Sequence, residues 1–335
     1  MNLQKHNTAI IQSLDEIEKN YHKLTLDTNP WAKKAGDLLF TFSKKGKMVR
    51  GNLLLDSVAI LSKGTQKNAA SLAAALELIH SGLLIHDDIM DQDTLRRGSP
   101  TIHKQLESTN NNSTNTSEAL AICIGDISFF LALNTASTYS PSVLQKLTSE
   151  ITLVGLGQMQ DVYALGDTNT ESILSTYTYK TARYTFSLPF ALAGRVSTVS
   201  DSEILSLEKI GEKIGILFQI HDDYLGLFGN SSTTGKQAVS DIQKNKLTLY
   251  KLFLLELNNQ YIKTTILPLF GKQKVTAENI AQIQNSLTEY KITKKVDEIK
   301  QSFILQAKEE INKLENKNMQ KFLTQILEFV TTRNS

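Results

Sequence analysis

Helical periodicity is the sequence feature that most narrows what this chain can fold into. Apolar residues recur every three or four positions along most of its length, and the two-residue alternation of a half-buried strand is hard to find. Only 17 glycines and 5 prolines interrupt the 335 residues, which favours long helices. We therefore predict an all-α fold, with periodic segments at 8–24, 47–63, 68–91, 117–136, 141–165, 171–194, 201–227, 242–257 and 292–330.

Two stretches break this periodicity. Residues 107–117 are rich in Asn, Ser and Thr, and residues 228–238 contain Gly229 and Gly235. Neither stretch is long or biased enough to serve as a linker between domains. We predict one domain that spans residues 1–335.

Composition argues against several classes of protein. The 36 basic and 34 acidic residues leave a net charge of +2, which gives no reason to expect nucleic acid or an anionic membrane as a partner. The single cysteine, Cys123, excludes an intrachain disulfide and a cysteine-cluster metal site. No run approaches the eighteen or so apolar residues of a membrane span, and the first residues lack the apolar core of a signal peptide. We predict a cytoplasmic protein with no integral membrane association.

Acidic residues stand at the ends of two apolar stripes that follow helical spacing. The first stripe is Leu72, Ala75, Leu76, Ile79 and Leu83, and the second is Leu207, Ile210, Ile214 and Phe218. The next positions on these faces are occupied by Asp87 and Asp91, with Asp88 and Asp93 close by, and by Asp222, with Asp223 adjacent. Core-facing positions therefore end in carboxylates in both segments.

Carboxylates at such positions need a cation nearby, because burial of an unpaired charge is costly and adjacent carboxylates repel. For one pair alone, helix capping or a surface salt bridge is an equally good explanation, but two pairs favour a metal site. Oxygen ligands indicate a hard cation such as Mg²⁺, which keeps waters and substrate phosphates in its coordination shell. The sequence thus predicts a substrate with a diphosphate head and an apolar tail. The adjacent His86 and His221 are more typical of structural residues than of ligands.

Basic residues for such a diphosphate occur along the chain. Any one of them alone is more typical of a solvated surface charge, but together with two aspartate clusters they indicate phosphate ligands. The candidates are Lys47, Arg50, Arg96, Arg97, Lys180, Lys236 and Lys246.

These motifs resemble those of the trans-prenyltransferases, which are the farnesyl, geranylgeranyl and longer polyprenyl diphosphate synthases. Asp87-Asp88-Ile89-Met90-Asp91 with Leu95-Arg96-Arg97-Gly98 is similar to the family's first aspartate-rich motif, and Phe218-Gln219-Ile220-His221-Asp222-Asp223 is similar to the second. The remaining family motifs follow in order between about Gly46 and Leu249, and they are Gly46-Lys47 with Arg50, His80, Gly157-Gln158 with Asp161, Lys180-Thr181 and Lys246.

The resemblance implies an antiparallel bundle of about ten or more helices around a central cavity, usually as a homodimer. It implies that Mg²⁺, for which Mn²⁺ can substitute, is held by Asp87, Asp91 and Asp222. The allylic diphosphate (dimethylallyl, geranyl or farnesyl) would be activated with the help of Asp88, Arg96, Lys180, Lys236 and Lys246. Thr181 and Gln219 would stabilise the carbocation. Isopentenyl diphosphate would be bound by Lys47, Arg50, His80 and Arg97.

The implied reaction is a head-to-tail condensation. The allylic carbon–oxygen bond ionises, the double bond of isopentenyl diphosphate attacks the cation, and a proton is then lost. One departure from the family is Gly226, where the second motif often has a third aspartate. A terpene cyclase or a head-to-head synthase would lack this set of motifs, and a non-catalytic subunit would typically have lost one aspartate motif.

Product length is expected to depend on Gly82 and Leu83, which precede Asp87 on the same helix. In short-product members of the family, aromatic residues at these positions close the tunnel for the growing chain. Gly82 leaves room, which favours the twenty-carbon geranylgeranyl diphosphate. The fifteen-carbon farnesyl or a longer product is the alternative, since Phe129, Phe130 or a partner chain could set the floor of the tunnel. The simpler alternative is that Gly82 only permits close packing of helices.

Overall fold

The computed structural model describes residues 4–62, 69–110, 113–163, 165–166, 168–229, 240–272 and 274–332. Nearly all of these residues are helical, and the strands they contain form a short antiparallel ribbon in which Leu95 pairs with Pro100 and Arg96 with Ser99. The predicted all-α fold is confirmed.

The helices of the first half are α1 (Asn7–Thr25), α2 (Trp31–Lys44), α3 (Val49–Leu61), α4 (Ala70–Met90), α5 (Ile102–Asn110), α6 (Thr114–Ala136) and α7 (Pro141–Val162). Strands β1 (Leu95–Arg96) and β2 (Ser99–Pro100) lie between α4 and α5. The later helices are α8 (Thr170–Thr176), α9 (Leu188–Ser197), α10 (Asp201–Phe228), α11 (Ser240–Gln243), α12 (Leu249–Leu255), α13 (Ala277–Glu289), α14 (Ile292–Lys313) and α15 (Lys317–Thr332). Residues Tyr177–Ser187 and Ile262–Ile266 are π-helical, and Leu267–Leu269 form a 3-10 turn.

The periodicity located most long helices but not every boundary. The single helix predicted at 292–330 is interrupted near Leu314. The segment predicted at 242–257 contains the end of α11 and all of α12, with residues 244–248 between them outside any helix. Helices α2, α5 and α13 were not predicted. The loop expected at 107–117 is shorter than predicted, because α5 continues into it and α6 begins within it.

The chain forms two compact units. The N-terminal unit comprises Asn2–Ser149 and Pro189–Ile204, and the C-terminal unit comprises Glu150–Leu188 and Leu205–Ser335. The chain passes between them within α7, α9 and α10. The single domain expected from the sequence remains a prediction.

Helix α4 forms the core of the N-terminal unit. Every residue from Leu72 to Ile79 is buried, which fits a helix that is apolar around most of its circumference. It packs against α1, α2, α3 and α6. The polar residues of α4 collect near its C-terminal end, so the core also carries the first aspartate cluster.

Helices α4 and α6 approach each other closely at Gly82. A Cβ atom at this position would lie 2.8 Å from Cε1 of Phe129 and 2.9 Å from the carbonyl oxygen of Gly125. Nearby, the Ser128 hydroxyl donates a hydrogen bond of 2.7 Å to the Leu78 carbonyl. Gly82 therefore serves the close packing of these helices.

Helix α6 is the one helix among the described residues that is long and apolar enough to cross a membrane by length and composition. Its most apolar window has a mean hydropathy of 1.7, a property of the whole window that the expectation about uninterrupted apolar runs does not cover. Only 33% of that window is buried, but α6 packs along α4 and α5, and a single helix of this kind is weak evidence by itself. The feature is therefore weak evidence for a membrane.

In the C-terminal unit, the π-helical segment Tyr177–Ser187 lies directly against glycines of two other helices. A Cβ atom at Gly211 would lie 2.7 Å from Cα of Ser187, and one at Gly157 would lie 2.5 Å from the backbone nitrogen of Lys180. A Cβ atom at Gly215 would overlap the backbone of Ala182. A π-helix is wider than an α-helix and rare, and these glycines provide the room that its backbone occupies.

We predict that Gly215→Ala lowers the free energy of unfolding by about 1–3 kcal/mol, because the added methyl group forces the π-helical backbone away from α10. Gly155→Ala is the matched control, since it is also a helical glycine of this unit and its Cβ would meet no atom within 4 Å. The control should be unchanged or stabilised by up to about 1 kcal/mol. Denaturant unfolding followed by circular dichroism measures both, and equal stabilities would contradict the packing described.

Candidate active site

The first aspartate cluster lies at the end of α4 in the N-terminal unit. Asp87 and Asp91 are half-buried and one helical turn apart, so they share a face. Asp88 is only 1% exposed and accepts a hydrogen bond of 2.6 Å from Nε of Arg96. Arg96 also contacts Asp93, with 3.1 Å between Nη2 and Oδ2. Arg96 therefore holds the buried Asp88, while Asp87 and Asp91 remain accessible to solvent.

The protonation of Asp88 reflects this burial. Desolvation raises the pKa of its carboxyl group to about 6, and the charge and hydrogen bond of Arg96 oppose the rise. Among the described residues, its buried Oδ2 atom has no hydrogen-bond partner. A cluster of carboxylate oxygens with one such buried oxygen fits a hard divalent cation, for which Asp87 and Asp91 are the accessible ligands.

A basic cluster forms in the same unit where α3 begins. Arg50 is 8% exposed, while Lys47 is exposed to solvent. The guanidinium of Arg97 lies over the ring of Phe42, 5.3 Å from its centroid, and donates a hydrogen bond of 3.1 Å to the Phe42 carbonyl. Gly46 allows this approach, because a Cβ atom there would lie 3.2 Å from Nη1 of Arg97. The fold thus restrains an arginine that the sequence placed in a loop.

His80 lies on α4 among these arginines. Burial holds the pKa of its imidazole well below the usual value, and the positive charges of Arg50, Arg97 and Arg96 lower it further. The imidazole is therefore neutral at physiological pH. A neutral histidine among guanidinium groups can hydrogen-bond an anion without adding charge, which fits a diphosphate.

The second aspartate pair lies on α10 in the C-terminal unit and has a similar arrangement. Asp222 is exposed, while Asp223 is 4% exposed. Asp223 accepts hydrogen bonds from the Tyr177 hydroxyl and, at 2.9 Å, from the Gln219 amide. Burial raises the pKa of Asp223 to about 7, and the charge of Asp241 adds to the rise. As in the first cluster, the second aspartate of the pair is buried and the first remains accessible.

A cleft within the C-terminal unit brings several predicted residues together. Lys180, from the π-helical segment, forms an ion pair with Asp161. Lys246 Nζ lies 3.6 Å from Oδ1 of Asp241. The cleft is lined by Asp161, Thr176, Tyr177, Lys180, Thr181, Gln219, Asp223, Lys246, Leu247 and Thr248. Lys236, a predicted ligand, lies outside the described residues.

Sequence reasoning missed two residues of this region. A Cβ atom at Gly226 would overlap the carboxylate of Asp241, so Asp241 lies where the sequence suggested that a carboxylate was lost. Its place five residues before Lys246 could have indicated it. Tyr177, which hydrogen-bonds Asp223, could have been indicated by its position one helical turn before Lys180 and Thr181.

The residues expected to set product length lie in the N-terminal unit. Gly82 is buried against α6, as the packing alternative states, and the ring of Phe129 occupies the space that a side chain there would need. Leu83 is half-buried. The chain-length role of Gly82 and Leu83 remains a prediction, and so does that of Phe129 and Phe130.

Comparisons with known proteins agree with these features. Residues 30–287 match the model of the family described as Polyprenyl synthetase. The short chain isoprenyl diphosphate synthase of Methanothermobacter thermautotrophicus is 31% identical over 86% of this chain and 86% of its own length. The geranylgeranyl diphosphate synthase of Sulfolobus acidocaldarius is 30% identical over 84% of this chain and 84% of its own length.

Solved structures extend the comparison to the fold. The geranylgeranyl pyrophosphate synthase of Corynebacterium glutamicum, complexed with isoprenyl diphosphate and magnesium, superposes with a TM-score of 0.88 at 25% identity. The match covers 99% of this chain and 100% of that one. With both aspartate motifs, the basic cluster and the helical fold in place, this chain belongs to the polyprenyl synthetase family of prenyltransferases.

Proposed function

We propose that this chain condenses isopentenyl diphosphate with an allylic diphosphate in the cytoplasm and releases mainly geranylgeranyl diphosphate, with farnesyl or a longer product as the alternative. The observation that carries the proposal is the pairing of one buried and one accessible aspartate in each unit, accompanied by basic residues. The names of several relatives, geranylgeranyl diphosphate synthases at about 30% identity, support the twenty-carbon product.

Asp87, Asp91 and Asp222 would hold Mg²⁺, for which Mn²⁺ is expected to substitute, and the ion would bind the allylic diphosphate. A bound divalent cation supplies positive charge that stabilises the leaving diphosphate. Arg96, Lys180, Lys236 and Lys246 add charge-assisted hydrogen bonds to the same group. Asp88 contributes by fixing Arg96, with which it is paired.

Isopentenyl diphosphate is held by Lys47, Arg50, His80 and Arg97 in the basic cluster. The Thr181 hydroxyl and the Gln219 amide present dipoles that stabilise the allylic cation as the carbon–oxygen bond breaks. The isopentenyl double bond attacks this cation, a new carbon–carbon bond forms, and a proton leaves to the released diphosphate.

The metal assignment predicts that Asp222→Ala lowers turnover by about a hundred- to a thousand-fold, because a ligand that stabilises the leaving group is lost. Asp222 is exposed, so the fold should be retained in the circular dichroism spectrum. Asp201→Ala is the control, since this exposed aspartate lies in the first turn of the same helix. Near-native turnover of Asp222→Ala over a Mg²⁺ titration would refute the assignment.

Product length is predicted to respond to Phe129, whose ring lies beside Gly82 below the first aspartate cluster. Phe129→Ala should shift the products toward longer chains, because it removes an aromatic wall next to α4. Gly82→Phe must displace that ring and the α6 backbone at Gly125, so its fold is first checked by circular dichroism, and a folded variant should shift the products toward shorter chains. Both variants are assayed by chromatography of the products with isopentenyl diphosphate in excess.

Tyr261→Ala is the control for this test, since it removes an aromatic ring that is 46% exposed and lies outside α4 and α6. An unchanged product distribution from an active, folded Phe129→Ala variant would place the end of the tunnel elsewhere.

A homodimer is proposed from the exposed face of α6. Ile122 is 43% exposed and Phe130 is 70% exposed, and they lie eight residues apart on one helix face with Asp126 between them. Large apolar side chains on one face of a helix are typical of an interface between proteins.

We predict that the chain has the mass of a dimer in light scattering and that Phe130→Glu shifts it to the monomer, because a charge would be buried in the interface. Leu26→Glu is the control, because Leu26 is 80% exposed and lies at the C-terminal end of α1 rather than on α6. A monomeric wild-type chain at micromolar concentration would contradict the proposal.

A further inference from the structure

Helix α3 begins without a cap from its own sequence. Met48 precedes it in the left-handed conformation, with φ of 53°, and makes no side-chain hydrogen bond to the first turn. The first amides of a helix need acceptors from outside the helix. Here the Gly51 amide donates a hydrogen bond of 2.8 Å to Oε1 of Glu77, a residue of α4. The start of α3 is therefore capped by a carboxylate from another helix.

Glu77 is an unusual residue for its surroundings. It is 3% exposed and stands in the apolar stretch of α4 between Leu76 and Leu78. Burial raises the pKa of its carboxyl group, and the charge of Arg50 and the hydrogen bond from Gly51 are the strongest effects that oppose the rise. The charge of Arg97 and the amide of Arg50 act in the same direction. A buried carboxylate is costly unless such partners compensate it.

The two arginines that act on Glu77 belong to the basic cluster proposed for isopentenyl diphosphate. Arg50 is in the first turn of α3, the turn that Glu77 caps. Arg97 lies over the ring of Phe42 and beside Gly46, and these contacts restrain it. Glu77 therefore acts on both parts of the cluster, because it accepts a hydrogen bond from the amide next to Arg50 and its charge opposes the lowering of the Arg97 pKa that burial causes.

We propose that Glu77 is a positioning residue of the isopentenyl diphosphate site, which fixes the first turn of α3 and the placement of Arg50 and Arg97 without touching the substrate. This inference rests on the proposed function, because it assumes that the basic cluster binds isopentenyl diphosphate. The other role open to a buried glutamate is purely structural, and the two roles differ in what a change of charge does to substrate binding.

Glu77→Gln separates these roles. The glutamine keeps the length of the side chain and an oxygen that can accept from the Gly51 amide, but it removes the negative charge. We expect the KM for isopentenyl diphosphate to rise by about ten-fold, while kcat and the KM for the allylic diphosphate stay within about two-fold. Equal changes in both KM values, or no change in either, would overturn the proposal.

Ser128→Ala is the control for a loss of packing around α4. It removes the buried hydrogen bond to the Leu78 carbonyl, next to Glu77 in sequence, without changing a charge. It should lower the temperature of unfolding and leave both KM values unchanged.

If Glu77→Gln does not fold, Glu77→Asp keeps the charge but withdraws it by one methylene group. For Glu77→Asp, a rise in the KM for isopentenyl diphosphate alone supports the proposal, and equal changes in the KM values for both substrates overturn it.

Arg50→Ala distinguishes a failure of this inference from a failure of the proposed function. It should raise the KM for isopentenyl diphosphate by about ten- to a hundred-fold, because one charge-assisted contact is lost. If Arg50→Ala changes neither KM, the assignment of the basic cluster to isopentenyl diphosphate is wrong. If Arg50→Ala has its effect and Glu77→Gln has none, only the role of Glu77 is wrong.

Discussion

The burial of one carboxylate in each pair of adjacent aspartates is the constraint on which the two aspartate clusters depend. Two neighbouring carboxylates on an apolar helix cannot both lose water, because each would be desolvated beside a like charge. Asp88 is held by Arg96, and Asp223 by Tyr177 and Gln219. Burial raises the pKa of both, to about 6 and about 7, so keeping them ionised at neutral pH costs free energy that a nearby cation offsets. The partner aspartate of each pair stays accessible to a metal ion.

In the basic cluster, positive charges rather than negative ones are brought close together. Arg50 and Arg97 are brought close to the neutral His80, and this accumulation of positive charge is suited to a diphosphate but unfavourable without one. The negative charge of Glu77 offsets part of that repulsion, and Glu77 lies on the helix that also carries the first aspartate cluster. Helix α4 thus carries acidic residues near both proposed diphosphate sites, with Glu77 beside the basic cluster and Asp87 and Asp88 in the first aspartate cluster.

Much of the fold and of the candidate site was predictable because both follow from local patterns. The apolar period of α4 and α10 leads directly to Asp87 and Asp222, and the spacing of the basic residues matched a known order of motifs. What the sequence could not indicate depends on contacts between distant segments. The π-helical register of Lys180 requires glycines on α7 and α10, and the space beside Gly226 is filled by Asp241 from a later segment. The role of Glu77 depends on a hydrogen bond from the amide of Gly51, which lies 26 residues earlier in the chain.

The central claim is that this chain joins a five-carbon unit to an allylic diphosphate. Incubation of the purified protein with Mg²⁺, labelled isopentenyl diphosphate and one allylic primer at a time, followed by chromatography of the products, tests it most directly. The account predicts labelled prenyl diphosphates only when a primer and Mg²⁺ are both present, with a twenty-carbon product as the main end point. An active fold that incorporates no label from isopentenyl diphosphate with any of the dimethylallyl, geranyl and farnesyl primers would contradict it.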